Sequence, residues 1–214
     1  MNIRKRPLII EFTGPPNSGK TTVIQSLKPA LEKKGLRVDV KQEDAELVPK
    51  YIPKKTWIRN SWIAFGQLQS LIEAVSSDCD VVLLDRGFFD AIFWTDFLNS
   101  QNICTDFECF NMKKLFYDFD NSFHFKPDLL YIIDVSTEES LRRRYADSNE
   151  EAPVLSTNSF IDSYKKTLNN FSKTVEITCS TLDTSSLTKD EMCNMVLSRI
   201  VDLNAFKKIL ESVQ

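Results

Sequence analysis

The chain has 214 residues, 42% hydrophobic and 27% charged, with 30 acidic against 27 basic side chains and a net charge of −3. That balance suits one globular α/β domain with a good core, and it argues against a basic surface for non-specific nucleic-acid binding. Five scattered cysteines without C-x-x-C spacing support neither a disulfide framework nor a zinc site, and point to reduced thiols in a cytoplasmic protein. Glu11 interrupts the first apolar run, and no later stretch is long enough to span a bilayer, so neither a signal peptide nor a membrane segment is expected.

Leu8 to Thr13 is an apolar run of buried-strand type, and Thr22 to Lys34 can be helical, with Gly35 as its stop and Pro29 expected to bend or interrupt it. Between them lies Gly14-Pro15-Pro16-Asn17-Ser18-Gly19-Lys20-Thr21, a full match to G-x-x-x-x-G-K-[ST] in the strand–loop–helix setting that this motif requires. Gly14 and Gly19 lack the Cβ atoms that would keep the backbone from a phosphate. Successive N–H groups, from Asn17 and Ser18 through Thr22, can then form an anion nest at a helix N-terminus. Lys20 suits the β/γ-phosphates of ATP, and the Thr21 hydroxyl suits Mg²⁺.

Leu36 to Lys41 reads as a second strand ending in Gln42-Glu43-Asp44, and residues 45–55, with Pro49 and Pro53, as a loop. Thr56 to about Ser77 carries Trp57, Trp62, Phe65 and further apolar residues at helical spacing. Val81 to Leu84 is a continuous buried strand that stops at Asp85-Arg86-Gly87. Phe88–Asn99 and Phe107–Phe119 are aromatic-rich helices, and Leu129–Asp134 is another buried strand. Thr137-Glu138-Glu139-Ser140 resembles a capping box that opens a helix bearing Arg142-Arg143-Arg144. A polar segment with Pro153 follows. Phe160–Phe171 then reads as a helix, Val175–Cys179 as a strand, Asp183–Ser186 as a turn, and Lys189 to about Glu211 as one last helix.

Strands alternating with helices predict a parallel sheet covered on both faces, with ligands beyond the carboxyl ends of the strands. Asp85 there can hold Mg²⁺ or orient an acceptor hydroxyl, and it can equally be a helix cap. Arg86 can bridge phosphates or pair with Asp85. Glu43 can accept a hydroxyl proton or sit in a solvated acidic loop. Neighbouring helical side chains diverge by about 100°, so at most two of the three arginines can face one ligand. His124, between two phenylalanines, has no catalytic partner in sequence and reads as structural.

The phosphate loop, Asp85-Arg86 and the arginine triplet together resemble the P-loop nucleoside and nucleotide monophosphate kinases, nearest to the thymidylate kinase and deoxynucleoside kinase branch. The resemblance implies an α/β P-loop NTPase three-layer sandwich over residues 1–214, with a five-stranded parallel sheet flanked by helices and a lid at about 145–158. It also implies Mg-ATP as donor, a nucleoside or nucleoside monophosphate as acceptor, and often a homodimer. By position, Lys20, Asp85, Arg86, Glu43, Arg142 and Arg144 take catalytic roles. Gly14, Asn17, Ser18, Gly19, Lys20, Thr21 and Thr22 bind nucleotide, and Thr21 with Asp85 serves the metal. Trp57, Trp62, Phe65 and Gln67 lie where such enzymes build a base pocket, although aromatics at this spacing also build cores. The chain departs from the pattern in Gly87, which stands where tyrosine or serine is common, and in a lid without a second arginine. An ATP-binding regulatory NTPase with no small-molecule acceptor is the alternative reading.

Overall fold

The computed structural model describes residues 6–43, 45, 47–54, 56–147 and 158–213. Asp44 and residues 148–157 of the expected lid lie outside the described residues. Five strands, β1 (Leu8–Thr13), β2 (Val38–Lys41), β3 (Val81–Asp85), β4 (Leu129–Asp134) and β5 (Cys179–Asp183), form one sheet in the order β2-β3-β1-β4-β5. Every pairing is parallel. The helices are α1 (Lys20–Glu32), α2 (Trp57–Val75), α3 (Phe88–Ser100), α4 (Asp106–Phe123), α5 (Thr137–Asp147), α6 (Asn158–Thr174), α7 (Lys189–Val201) and α8 (Asn204–Val213). Among the described residues no helix is long and apolar enough to cross a membrane.

β1 is central and wholly buried, and the period of two in a strand divides its side chains between two cores. Leu8, Ile10 and Phe12 join Val23, Leu27 and Leu31 of α1 and Val196 and Ile200 of α7 in a largely aliphatic core. Ile9 faces the other way, into a core built from Phe88, Phe93 and Phe97 of α3, Phe116 of α4 and Tyr164 of α6. Residues of α3 are buried almost all round, because the helix is wedged between the sheet and its neighbours. β1 runs between β3 and β4, so its carboxyl end opens at the point where the chain has crossed from one side of the sheet to the other.

Three sequence expectations change. The last strand is Cys179–Asp183, not Val175–Cys179. Val175 and Ile177 pack against the aromatic core from irregular backbone, while the strand itself is a polar edge with Leu182 as its one buried residue. The final helix is two helices, α7 and α8, parted at Asp202 and Leu203, and this lets Phe206 and Ile209 return to the aliphatic core. Pro29 does not interrupt α1, which runs on to Glu32. His124 closes α4 in the left-handed conformation at φ 54° and is exposed, a structural role as expected.

Candidate active site

The phosphate loop spans the gap between β1 and α1. Gly14 has a φ of 150°, and a Cβ there would stand 2.0 Å from the Ile133 carbonyl oxygen, so the close passage of the loop over β4 excludes any other residue. Gly19 caps α1 in the left-handed region at φ 94°. Lys20 opens the helix, is 6% exposed, and donates from Nζ to the carbonyl oxygens of Gly14 (3.2 Å) and Pro15 (3.0 Å). Burial, and then the nearby Arg86 charge, bring its pKa down to about 8. Ser18 is fully buried with its Oγ unpartnered, and Thr22 is half-buried in the first turn of α1.

The Thr21 hydroxyl, in the first turn of α1, donates to Asp85 Oδ2 at the end of β3, at 2.7 Å. Asp85 Oδ1 is buried without a hydrogen-bond partner. Burial raises the Asp85 pKa, against the pull of the Thr21 hydroxyl and Lys20. An unpartnered carboxylate oxygen beside a hydroxyl is a donor set suited to a hard cation such as Mg²⁺, which takes one or two protein oxygens and completes its shell with phosphate and water. The residues present therefore fit that metal.

Arg86 follows in the left-handed region, φ 69°, a costly conformation for a residue with a side chain. Its backbone N–H donates to Phe12 O at 2.9 Å, and its guanidinium lies between two carboxylates, with Nε 2.6 Å from Glu43 Oε1 and Nη1 2.9 Å from Asp90 Oδ1. Although burial opposes the charge, Asp90 and Glu43 hold Arg86 more firmly protonated than usual. Burial works to raise the Glu43 pKa, but Arg86 and Lys20 outweigh it and the net shift is downward. Glu43, Lys20, Thr21, Asp85 and Arg86 are thus brought together at the strand ends, as the sequence placed them.

Of the arginine triplet, Arg143 faces the loop. Its Nη1 donates to Asn17 O (3.3 Å), Ser18 O (3.2 Å) and Thr184 Oγ1 (3.0 Å), and its Nη2 to Thr184 O (2.5 Å). Arg142, expected in the site, turns outward with a side chain 70% exposed and pairs with Glu139. Arg144 is half-buried on the same helix. The 100° step between neighbours explains the selection, because Ser140, one turn before Arg143, also meets the loop, donating to Pro16 O at 2.8 Å. Of the expected base-pocket residues, Trp57 packs into the apolar clusters and Phe65 is 52% exposed, whereas Gln67 is buried and donates to Asp90 Oδ2 at 3.3 Å.

Several supporting residues carry no local signal. Glu11, read from sequence only as a break in an apolar run, accepts the backbone N–H groups of Phe89 (3.1 Å) and Asp90 (2.7 Å). It thereby caps α3 from a neighbouring strand, where Gly87 has no side chain to do so. Burial pushes its pKa up to about 8. Asp90 also accepts the Thr13 hydroxyl, at 2.5 Å. The buried Tyr164 hydroxyl donates to Gly14 O at 2.9 Å, and Thr184 Oγ1 lies 2.8 Å from Ser18 O.

An AAA domain family model matches residues 9–150. No curated protein matches the chain by sequence. Among solved structures, it is similar to the deoxyadenosine kinase from M. mycoides with the products dCMP and a flexible dCDP bound, at 14% identity and a TM-score of 0.68, covering 92% of this chain and 100% of that one. The same enzyme with bound dATP gives 14% identity, a TM-score of 0.66, and 90% and 98% coverage. With bound dCTP it gives 14% identity and 0.64 over 92% and 100%. The five-stranded parallel sheet, flanked by helices and carrying the phosphate loop at the end of its central strand, is the fold of those kinases, and the chain belongs to the AAA domain family.

Proposed function

We propose that this protein transfers the γ-phosphoryl group of Mg-ATP to a hydroxyl of a nucleoside. The observation that carries this reading is the Glu43–Arg86–Asp90 arrangement standing beside Lys20 and the Thr21–Asp85 pair. A nucleotide-binding site alone needs only the loop; a carboxylate held ionised by an arginine at the next strand end is what an acceptor hydroxyl requires. Glu43, with its lowered pKa, is ready to take the hydroxyl proton at neutral pH. Lys20, on leaving the Gly14 and Pro15 carbonyls, meets the phosphates, and Arg143 adds positive charge at the loop. Thr21 and Asp85 would hold Mg²⁺, which when bound neutralises charge on the phosphate oxygens.

Charge favours a nucleoside over a nucleotide as acceptor. Arg86 is already opposed by two carboxylates, and a phosphate on the acceptor would have to displace one of them. The M. mycoides enzyme, named for a nucleoside and holding deoxynucleotides, has the same fold and lends support. The five cysteines are free, in keeping with a cytoplasmic setting. Measuring ADP release with ATP and a panel of nucleosides and nucleoside monophosphates tests the reading. Release that depends on a nucleoside is expected. Slow release indifferent to every acceptor would instead favour a regulatory NTPase, and faster turnover of monophosphates would overturn the charge argument.

A further inference from the structure

Two carboxylates of opposite character grip Arg86, and the Tyr164 hydroxyl adds an uncharged hydrogen-bond partner. Glu43 comes from the end of β2 with a side chain 24% exposed, whereas Asp90 comes from within α3 and is fully buried. Both oxygens of Asp90 are committed: Oδ1 accepts from Arg86 Nη1 and the Thr13 hydroxyl, and Oδ2 from Gln67 Nε2. Its backbone N–H is held by Glu11. Asp90 therefore joins the arginine turn to α2 and to the last residue of β1 before the phosphate loop.

Stability alone does not account for a charge at this place. Taking an ionised pair out of water costs several kcal/mol, and well-packed apolar residues often serve a fold as well or better. What an immobile carboxylate does supply is a fixed bearing for a planar guanidinium. We propose that Asp90 is a positioning residue for phosphoryl transfer: it anchors Arg86 against the phosphate loop, so that Glu43 can exchange Arg86 for the acceptor hydroxyl. Without the anchor, the neutral Tyr164 hydroxyl has no charge to set against Glu43, so Arg86 follows Glu43 and keeps its carboxylate occupied. The kinetic consequence rests on the nucleoside kinase reading; the anchoring itself does not.

Asp90→Asn tests this with little disturbance. The amide oxygen still accepts from Thr13 but holds Arg86 only by a weaker, uncharged hydrogen bond, and the amide nitrogen meets Gln67, whose buried Oε1 has no partner and becomes the acceptor once that side chain flips. Side-chain ¹⁵N NMR reads the anchor without substrate: wild type should show separate, slowly exchanging Arg86 guanidinium resonances that merge in Asp90→Asn. With deoxyadenosine or deoxycytidine as acceptor, kcat should fall about 100-fold, while KM for ATP moves less than about threefold. In an Arg86→Lys background the same substitution should cost less than about threefold more, because effects that pass through one side chain do not add. Should Asp90→Asn fail to fold, Thr13→Val removes one donor to the anchor, keeps the shape, and should broaden the same resonances. Unchanged Arg86 resonances together with equal losses in both backgrounds would overturn the proposal. If wild type turns over no nucleoside, the acceptor reading fails, and the NMR comparison still decides whether Asp90 anchors Arg86.

Discussion

The phosphate loop and the arginine turn stand at the ends of adjacent strands and are built in opposite ways. The loop is backbone: its shape comes from two glycines, a lysine folded onto its carbonyl oxygens, and supports from Tyr164, Ser140 and Arg143 that all meet main-chain oxygen. The arginine turn is side chain: Arg86 is fixed by Glu43, Asp90 and the Tyr164 hydroxyl, and Asp90 in turn by Thr13 and Gln67. A backbone site tolerates change in its surroundings and no change in its glycines. A side-chain site fails by degrees, as each partner is removed.

That contrast can be broken in order of effect. Gly14→Ala should be the most damaging single change, since its Cβ would lie 2.0 Å from Ile133 O; a loss of more than about 3 kcal/mol in denaturant melts, with ATP binding abolished in calorimetry, is expected. Lys20→Ala should leave circular dichroism and melting intact while turnover falls about 1000-fold or more; unchanged turnover would sink the phosphotransferase assignment. Glu43→Gln should lower kcat by about 100- to 1000-fold with little effect on KM for ATP, because in the proposed reaction it acts on the acceptor and not on the loop. Arg143→Ala, which removes one support among several, should raise KM for ATP about tenfold.

A last effect falls on stability rather than turnover, and it depends on pH. Glu11 has a pKa raised by burial from 4.5 to about 8, so the folded protein holds that proton more firmly than the unfolded chain. Its contribution to stability is complete below about pH 4.5 and is lost as pH rises through about 8. Glu11→Gln should flatten that decline, a difference on the order of ten degrees in Tm between mildly acidic and alkaline buffer. Equal slopes in both proteins would show that Glu11 is ionised throughout.

The same contrast explains what could be read before folding. The loop is contiguous, so its residues and their chemistry stand side by side in the sequence. Asp85 and Arg86 are legible because four buried aliphatics lead straight into them. Asp90 and Glu11 are not, since their roles depend on β1 lying next to β3. Arg143 was hidden among its neighbours until the phase of α5 was known. β5 misled for a different reason: a polar edge strand has little burial to record in its pattern, while the apolar Val175 and Ile177 just before it pack from irregular backbone.

The left-handed backbone at Arg86 has an evolutionary consequence. An arginine at φ 69° costs about 1–2 kcal/mol that glycine would not, so selection for stability alone favours replacing it. Yet removing the guanidinium would leave Asp90 charged and unpaired in the core, a penalty of about 3–5 kcal/mol. Neither position can drift by itself. Among descendants of this chain, 86 and 90 should change as a pair or remain as they are, and on the proposed reading a lineage that loses both together gives up the acceptor while keeping the loop.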